Sequence, residues 1–135
     1  MDSTRDEEYI IKELLTLAKK AREYAYAPFS NYKVGAAVYT ENNKYYTGCN
    51  IENTSFGATI CAERVAMSKA ISENGYIKIT FISVYAQNPI PCGICRQFLS
   101  NFSYDETKVI LVNADDKYKI MLFKELMPYP FTKLQ

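Results

Sequence analysis

Histidine is absent from all 135 residues. Without imidazole the chain cannot carry a Ser/His/Asp triad, a Cys/His nucleophile pair, a His-Glu-x-x-His protease helix or a Cys₂His₂ finger. Blocks of like charge are also missing. The 16 basic and 15 acidic residues leave a formal charge of +1, so a nucleic-acid partner is not expected. No apolar run approaches the roughly 20 residues of a membrane span. The first ten residues are acidic and polar, where a signal peptide would be basic and then apolar. No internal repeat or low-complexity tract occurs. The expectation is a soluble, cytoplasmic protein that binds neither membrane nor nucleic acid. At 48% hydrophobic it has enough apolar material for one core and too little length for two, so residues 1–135 are expected to form a single domain.

What is present reads as alternating helices and strands. Ser3 and Thr4 precede Asp6 and Glu7 at capping-box spacing. Ile10, Leu14, Leu17, Ala18, Ala21 and Ala25 then recur at helical intervals, predicting a helix from Ser3 to about Tyr26 that Pro28 stops. Tyr32 to Thr40 and Lys44 to Cys49 read as strands of a hairpin around Glu41-Asn42-Asn43. Asn50 to Thr59 is a small, polar loop. A helix follows from Cys61 to Asn74, with Gly75 as its stop. Ile77 to Ala86 is a β-branched, apolar strand, Asn88-Pro89-Ile90-Pro91 a rigid connection, and Cys92 to about Phe102 a helix. Lys108 to Asn113 and Tyr118 to Met121 are short strands before a final helical turn at Phe123 to Leu126. Long apolar strands between helices imply a sheet buried on both faces, hence a layered α/β architecture.

The four cysteines carry the chemistry. Nothing points to secretion, so metal or redox chemistry is a better account of them than disulfides. Cys92-x-x-Cys95 alone fits either a zinc site or a redox dithiol. A redox pair belongs after the first strand of a βαβ unit, whereas this one follows the third strand, and zinc is favoured. Cys61 is the expected third ligand. It and the Cys92/Cys95 pair both fall at helix starts, where free N–H groups and the helix dipole stabilise thiolates. Cys49 decides the character of the site: as a fourth ligand it would close a structural centre, and as a bystander it would leave a position for water. Three thiolates on a divalent cation leave a surplus negative charge, which Arg64 and Gln97 are placed to offset by donating hydrogen bonds to ligand sulfurs. Glu63 favours the helix dipole wherever it sits. Beside a metal-activated water in a closed pocket it would also carry protons.

Gly48-Cys49-Asn50-Ile51-Glu52-Asn53, Cys61-Ala62-Glu63-Arg64 and Pro91-Cys92-Gly93-Ile94-Cys95-Arg96-Gln97 together resemble the short, homotetrameric cytidine deaminases. Ala27-Pro28-Phe29-Ser30, Val34-Gly35-Ala36-Ala37 and Glu125-Leu126-Met127-Pro128 with Phe131 extend the resemblance over nearly the whole chain. It implies a three-layer α/β/α sandwich with a five-stranded mixed sheet, and one zinc per subunit held by Cys61, Cys92 and Cys95. Cys49 would not be a ligand, and Glu63 would be catalytic. Asn50 and Glu52 would bind the ribose hydroxyls, Phe29 would stack on the pyrimidine, and the Ala62 amide would meet the base carbonyl. Phe131 would approach the base from a neighbouring subunit of a homotetramer. The chain departs from the pattern at Phe56, where many relatives carry tyrosine, and at Ile90, where serine is frequent.

The implied reaction is hydrolytic deamination of cytidine, and of 2′-deoxycytidine, in pyrimidine salvage. Rival readings are a deaminase of another substrate (a nucleoside antibiotic, a free base or a nucleic acid) and a non-catalytic zinc scaffold. Asn50 and Glu52 favour a nucleoside over a free base, and the near-neutral charge disfavours a nucleic-acid editor.

Overall fold

The computed structural model describes residues 3–131 and, within the first helix, side chains from Asp6 onward. The capping box read at Ser3 and Thr4 therefore lies outside the described side chains. Helix α1 (Ser3–Arg22) is followed by the hairpin β1 (Gly35–Thr40) and β2 (Tyr45–Cys49), and by helix α2 (Ala62–Asn74). Strand β3 (Ile79–Tyr85), helix α3 (Gly93–Ser100), strands β4 (Ser103–Val112) and β5 (Tyr118–Leu122), and the turn of helix α4 (Phe123–Leu126) complete the order. The five strands form one mixed sheet ordered β2-β1-β3-β4-β5. Only β3 and β4 run parallel, and α3 is their crossover. No helix among the described residues is long and apolar enough to cross a membrane.

Alternation along the strands builds two apolar layers. Ala36, Val38, Ile82, Val84, Val109 and Leu111 face Ala66, Met67 and Ala70 of α2 and Leu99 of α3. Ala37, Phe81, Tyr85, Ile110 and Val112 face Leu14 and Ala18 of α1. This is the expected α/β/α sandwich. Two glycines set how closely helices approach it. A Cβ on Gly35 would fall 2.0 Å from the Ala18 carbonyl oxygen, and one on Gly48 would fall 2.5 Å from both the Ala62 carbonyl oxygen and the Ala66 nitrogen. The second contact seats the first turn of α2, where Cys61 and Glu63 begin, directly on the hairpin.

Helix α1 stops at Arg22, short of the expected Tyr26. Tyr26 is taken up elsewhere: its N–H donates to the Asn50 carbonyl at 3.0 Å and its carbonyl accepts from Glu52 at 2.8 Å, forming a bridge to Ile51. That pairing outweighs the helical spacing of Ala25. Strand β4 starts five residues earlier than its apolar run, because Ser103 pairs with Ile79 and the Thr107 hydroxyl, bonded to the Ile79 carbonyl at 2.7 Å, carries the ladder through polar residues.

Candidate active site

The two cysteine motifs meet at facing helix starts. Cys61 is the N-cap of α2 and Cys92 the N-cap of α3, where the Cys92 sulfur accepts a hydrogen bond from the Cys95 N–H. Cys61 Sγ and Cys92 Sγ stand 3.7 Å apart. The sulfurs of Cys61, Cys92 and Cys95 all lie within 4.8 Å of one another. Cys49 is outside this cluster, at the far end of β2.

The donor set fits a cation. A hydrogen bond from Cys95 holds the Cys61 thiol down to about 5 against the effect of burial, and Arg64 and Cys92 add to the effect. Cys95 is driven strongly upward, first by its bond to Cys61 and then by burial. Between these two, the proton is held at Cys95 and the charge at Cys61. Three thiolates require a metal to balance them, and sulfur ligands in this number suit zinc. Arg64 supplies part of the balancing charge. Its Nη2 lies 3.9 Å from Cys61 Sγ and donates to the Thr59 carbonyl at 3.1 Å.

The described bonds of Gln97 are to the C-terminal segment: its amide donates to the Phe131 carbonyl at 2.6 Å and accepts from the Phe131 N–H at 3.4 Å, which leaves one N–H of Nε2 beyond that clamp. Arg96, which the sequence reading left aside, ties that segment too, donating to the carbonyls of Pro91 at 3.0 Å and Leu126 at 3.1 Å.

A cavity of about 190 Å³ opens beside the sulfurs. Cys61, Ala62, Glu63 and Cys92 form one wall, Val34 and Asn50 another, and Ala86, Asn88 and Ile90 a third. Glu63 is only 3% exposed, and burial raises its carboxyl to about 7. Ala62, the first residue of α2, presents an N–H that has no partner within the helix. The Asn50 amide is buried and engaged: Oδ1 accepts from the Val34 N–H at 2.9 Å and Nδ2 donates to the Tyr32 carbonyl at 2.7 Å.

Glu52 and Phe29 stand together outside the cavity lining. One Glu52 oxygen accepts from the N–H groups of Phe29 at 2.9 Å and Ser30 at 3.2 Å, and the other accepts from the Ser30 hydroxyl. The Phe29 ring, half exposed, meets the edge of Phe56 at 6.2 Å. Phe131 is 63% exposed and held through its backbone. Sequence reasoning missed Ser30 and Tyr32, whose contacts join segments distant in the chain and leave no local signature.

Known proteins share these features. The family model for the cytidine and deoxycytidylate deaminase zinc-binding region matches residues 8–112. The chain is 41% identical to the cytidine deaminase of Mycoplasma genitalium, over 93% of this chain and 95% of that one. It is likewise 41% identical to that of Halalkalibacterium halodurans, over 94% and 95%. Among solved structures, the cytidine deaminase of Burkholderia pseudomallei superposes with a TM-score of 0.83 at 38% identity, covering 89% of this chain and 98% of that one. The enzyme of Mycobacterium tuberculosis gives 0.77 at 29%, covering 90% and 97%. Three cysteines at paired helix starts, a buried glutamate two residues after the first of them, and likeness along nearly the whole chain thus converge: the chain belongs to the zinc-binding cytidine deaminase family.

Proposed function

We propose that the chain catalyses hydrolytic deamination of cytidine, and of 2′-deoxycytidine, to the corresponding uridine nucleoside and ammonia. The observation that carries the proposal is that Glu63, buried in the first turn of α2, opens onto the same small cavity as Cys61 and Cys92. Zinc, held by Cys61, Cys92 and Cys95 with one ion per subunit, supplies an activated water as nucleophile when bound. Glu63 takes a proton from the attacking water, gives it to ring N3, and later delivers a proton to the departing amino group. The Ala62 N–H donates to the base carbonyl.

Asn50 keeps one N–H and one lone pair beyond its bonds to Tyr32 and Val34, enough for a ribose hydroxyl. Glu52 accepts three hydrogen bonds and a carboxylate offers about four lone-pair sites, which leaves one for a second hydroxyl. Phe29, steadied by Phe56, stacks on the ring. Among the described residues no lysine or arginine lines the cavity, so a phosphate entering it would find no counter-charge. This favours a nucleoside over a nucleotide. Phe131, exposed and anchored by Gln97, completes a neighbouring subunit's site in a homotetramer. Cytoplasmic pyrimidine salvage is the role such a reaction serves.

The test is ammonia release by the zinc-loaded protein from cytidine, deoxycytidine, cytosine, deoxycytidylate and a cytosine-containing oligonucleotide. Turnover of the two nucleosides well above the other three is the expected result. Preference for the free base, the nucleotide or the strand would contradict it.

A further inference from the structure

Two walls of the cavity come from segments without regular structure. One is the strap that carries Ser30, Tyr32 and Val34 into β1, and the other is the Gln87–Pro91 loop that delivers Cys92. Pro89 and Pro91 have no N–H to donate. Among the described residues, the hydrogen bonds that join strap and loop are the two made by one hydroxyl. Tyr32 Oη donates to the Asn88 carbonyl at 2.7 Å and accepts from the Asn88 N–H at 2.8 Å.

The Tyr32 backbone is itself held at two points. Its N–H donates to the Ser30 hydroxyl at 3.0 Å, its carbonyl accepts from Asn50 Nδ2 at 2.7 Å, and the Ser30 hydroxyl donates in turn to Glu52. A continuous hydrogen-bonded chain therefore runs Glu52–Ser30–Tyr32–Asn88, from the side where the sugar would bind to the loop that ends in a metal ligand.

We infer that Tyr32 is a positioning residue that sets the width of the substrate slot, its hydroxyl clasping the Asn88 backbone and fixing strap against loop. The inference rests on the cavity being the nucleoside pocket. A hydroxyl bonded to both backbone groups of one residue restrains that residue in two directions, which a ring packed against the loop cannot do. Loosening it lets the walls part while the bond from Asn50 Nδ2 to the Tyr32 carbonyl and the Cys92 N-cap of α3 are kept. The slot then holds a planar base less firmly and rejects a wider base less strictly.

Tyr32→Phe removes the clasp and keeps the ring. Cytidine, 5-methylcytidine, zinc content and amide exchange at Asn88 are measured for the parent, for Tyr32→Phe and for Tyr46→Phe. The last loses a comparable hydroxyl contact, to Asn74 at 2.7 Å, away from the site. The expected result for Tyr32→Phe is unchanged zinc and faster exchange at Asn88. KM for cytidine should rise by about tenfold, the order associated with a lost hydrogen-bonded pair, with kcat within about threefold. The ratio of kcat/KM for 5-methylcytidine to that for cytidine should rise at least severalfold, and Tyr46→Phe should leave that ratio at the parent value. An unchanged KM and ratio, or equal losses on both substrates, overturns the inference. A parent that leaves cytidine untouched overturns the deaminase reading and this role with it, whereas an active parent with a parent-like Tyr32→Phe variant overturns only the role of Tyr32.

Discussion

Gly35 and Cys49 are directly opposed across the β1–β2 hairpin, so their side-chain positions share one face of the sheet. That face is the α1 face, because a Cβ on Gly35 would meet the Ala18 carbonyl at 2.0 Å. Gly48, one residue earlier, faces α2 and the metal cluster. Cys49 is thus turned to the opposite side of the sheet from Cys61. Cys49→Ala is expected to retain the parent's zinc content and deaminase activity, measured by metal analysis and ammonia release. Loss of metal would instead make Cys49 a ligand and the site a structural one.

Gly48 tests whether the hairpin positions the site. An added methyl would lie 2.5 Å from two backbone atoms of α2, the Ala62 oxygen and the Ala66 nitrogen, whereas one on Gly57 meets nothing within 4 Å. Gly48→Ala is expected to lower unfolding free energy by about 1–3 kcal/mol, as overpacking does, and to weaken zinc retention because the displaced turn carries Cys61. Gly57→Ala should stay within about 0.5 kcal/mol of the parent. Urea unfolding and competition with a chelator measure both effects.

Among the described residues, three carboxylates contribute to the acid limb of stability. Glu52 is held below the ordinary glutamate value of 4.5 chiefly by the Ser30 hydroxyl, and Glu41 chiefly by the Tyr104 hydroxyl. Asp116 lies below 3.8 through Tyr85 first and Lys19 second. In each case the unfolded chain binds protons more readily than the folded one. Their contribution is therefore fully present above the ordinary values and is lost as pH falls through the lowered ones. The urea midpoint is expected to show no loss from these groups between neutral pH and about pH 5.5, and to fall below about pH 4.5. Tyr85→Phe should flatten the lowest part of that fall by removing the hydroxyl that Asp116 accepts from.

Much of this organisation was legible in the residues. Cys61 and Cys92 cap the helices their spacing predicted, and Phe123–Leu126 forms the turn of helix read there. These features depend on local periodicity and on end signals such as Gly75, whose φ of 76° suits a helix stop. The sheet order and the parallel pairing of β3 with β4 rest on contacts between distant segments. So do Glu52 grasping the Phe29–Ser30 backbone and Tyr32 clasping Asn88, partners 56 residues apart. Gln97 shows the same limit from the other side: its place two residues after Cys95 suggested a sulfur contact and gave no sign of its bonds to Phe131, 34 residues away.

The proton-carrying role of Glu63 is the central claim, and Glu63→Gln tests it most directly. The substitution preserves shape and removes only the group that exchanges protons, so zinc content measured by metal analysis should match the parent. Ammonia release from cytidine should fall by about 10²–10⁴-fold, the range for a lost general acid–base group. Turnover near the parent level in a zinc-loaded Glu63→Gln protein would contradict it.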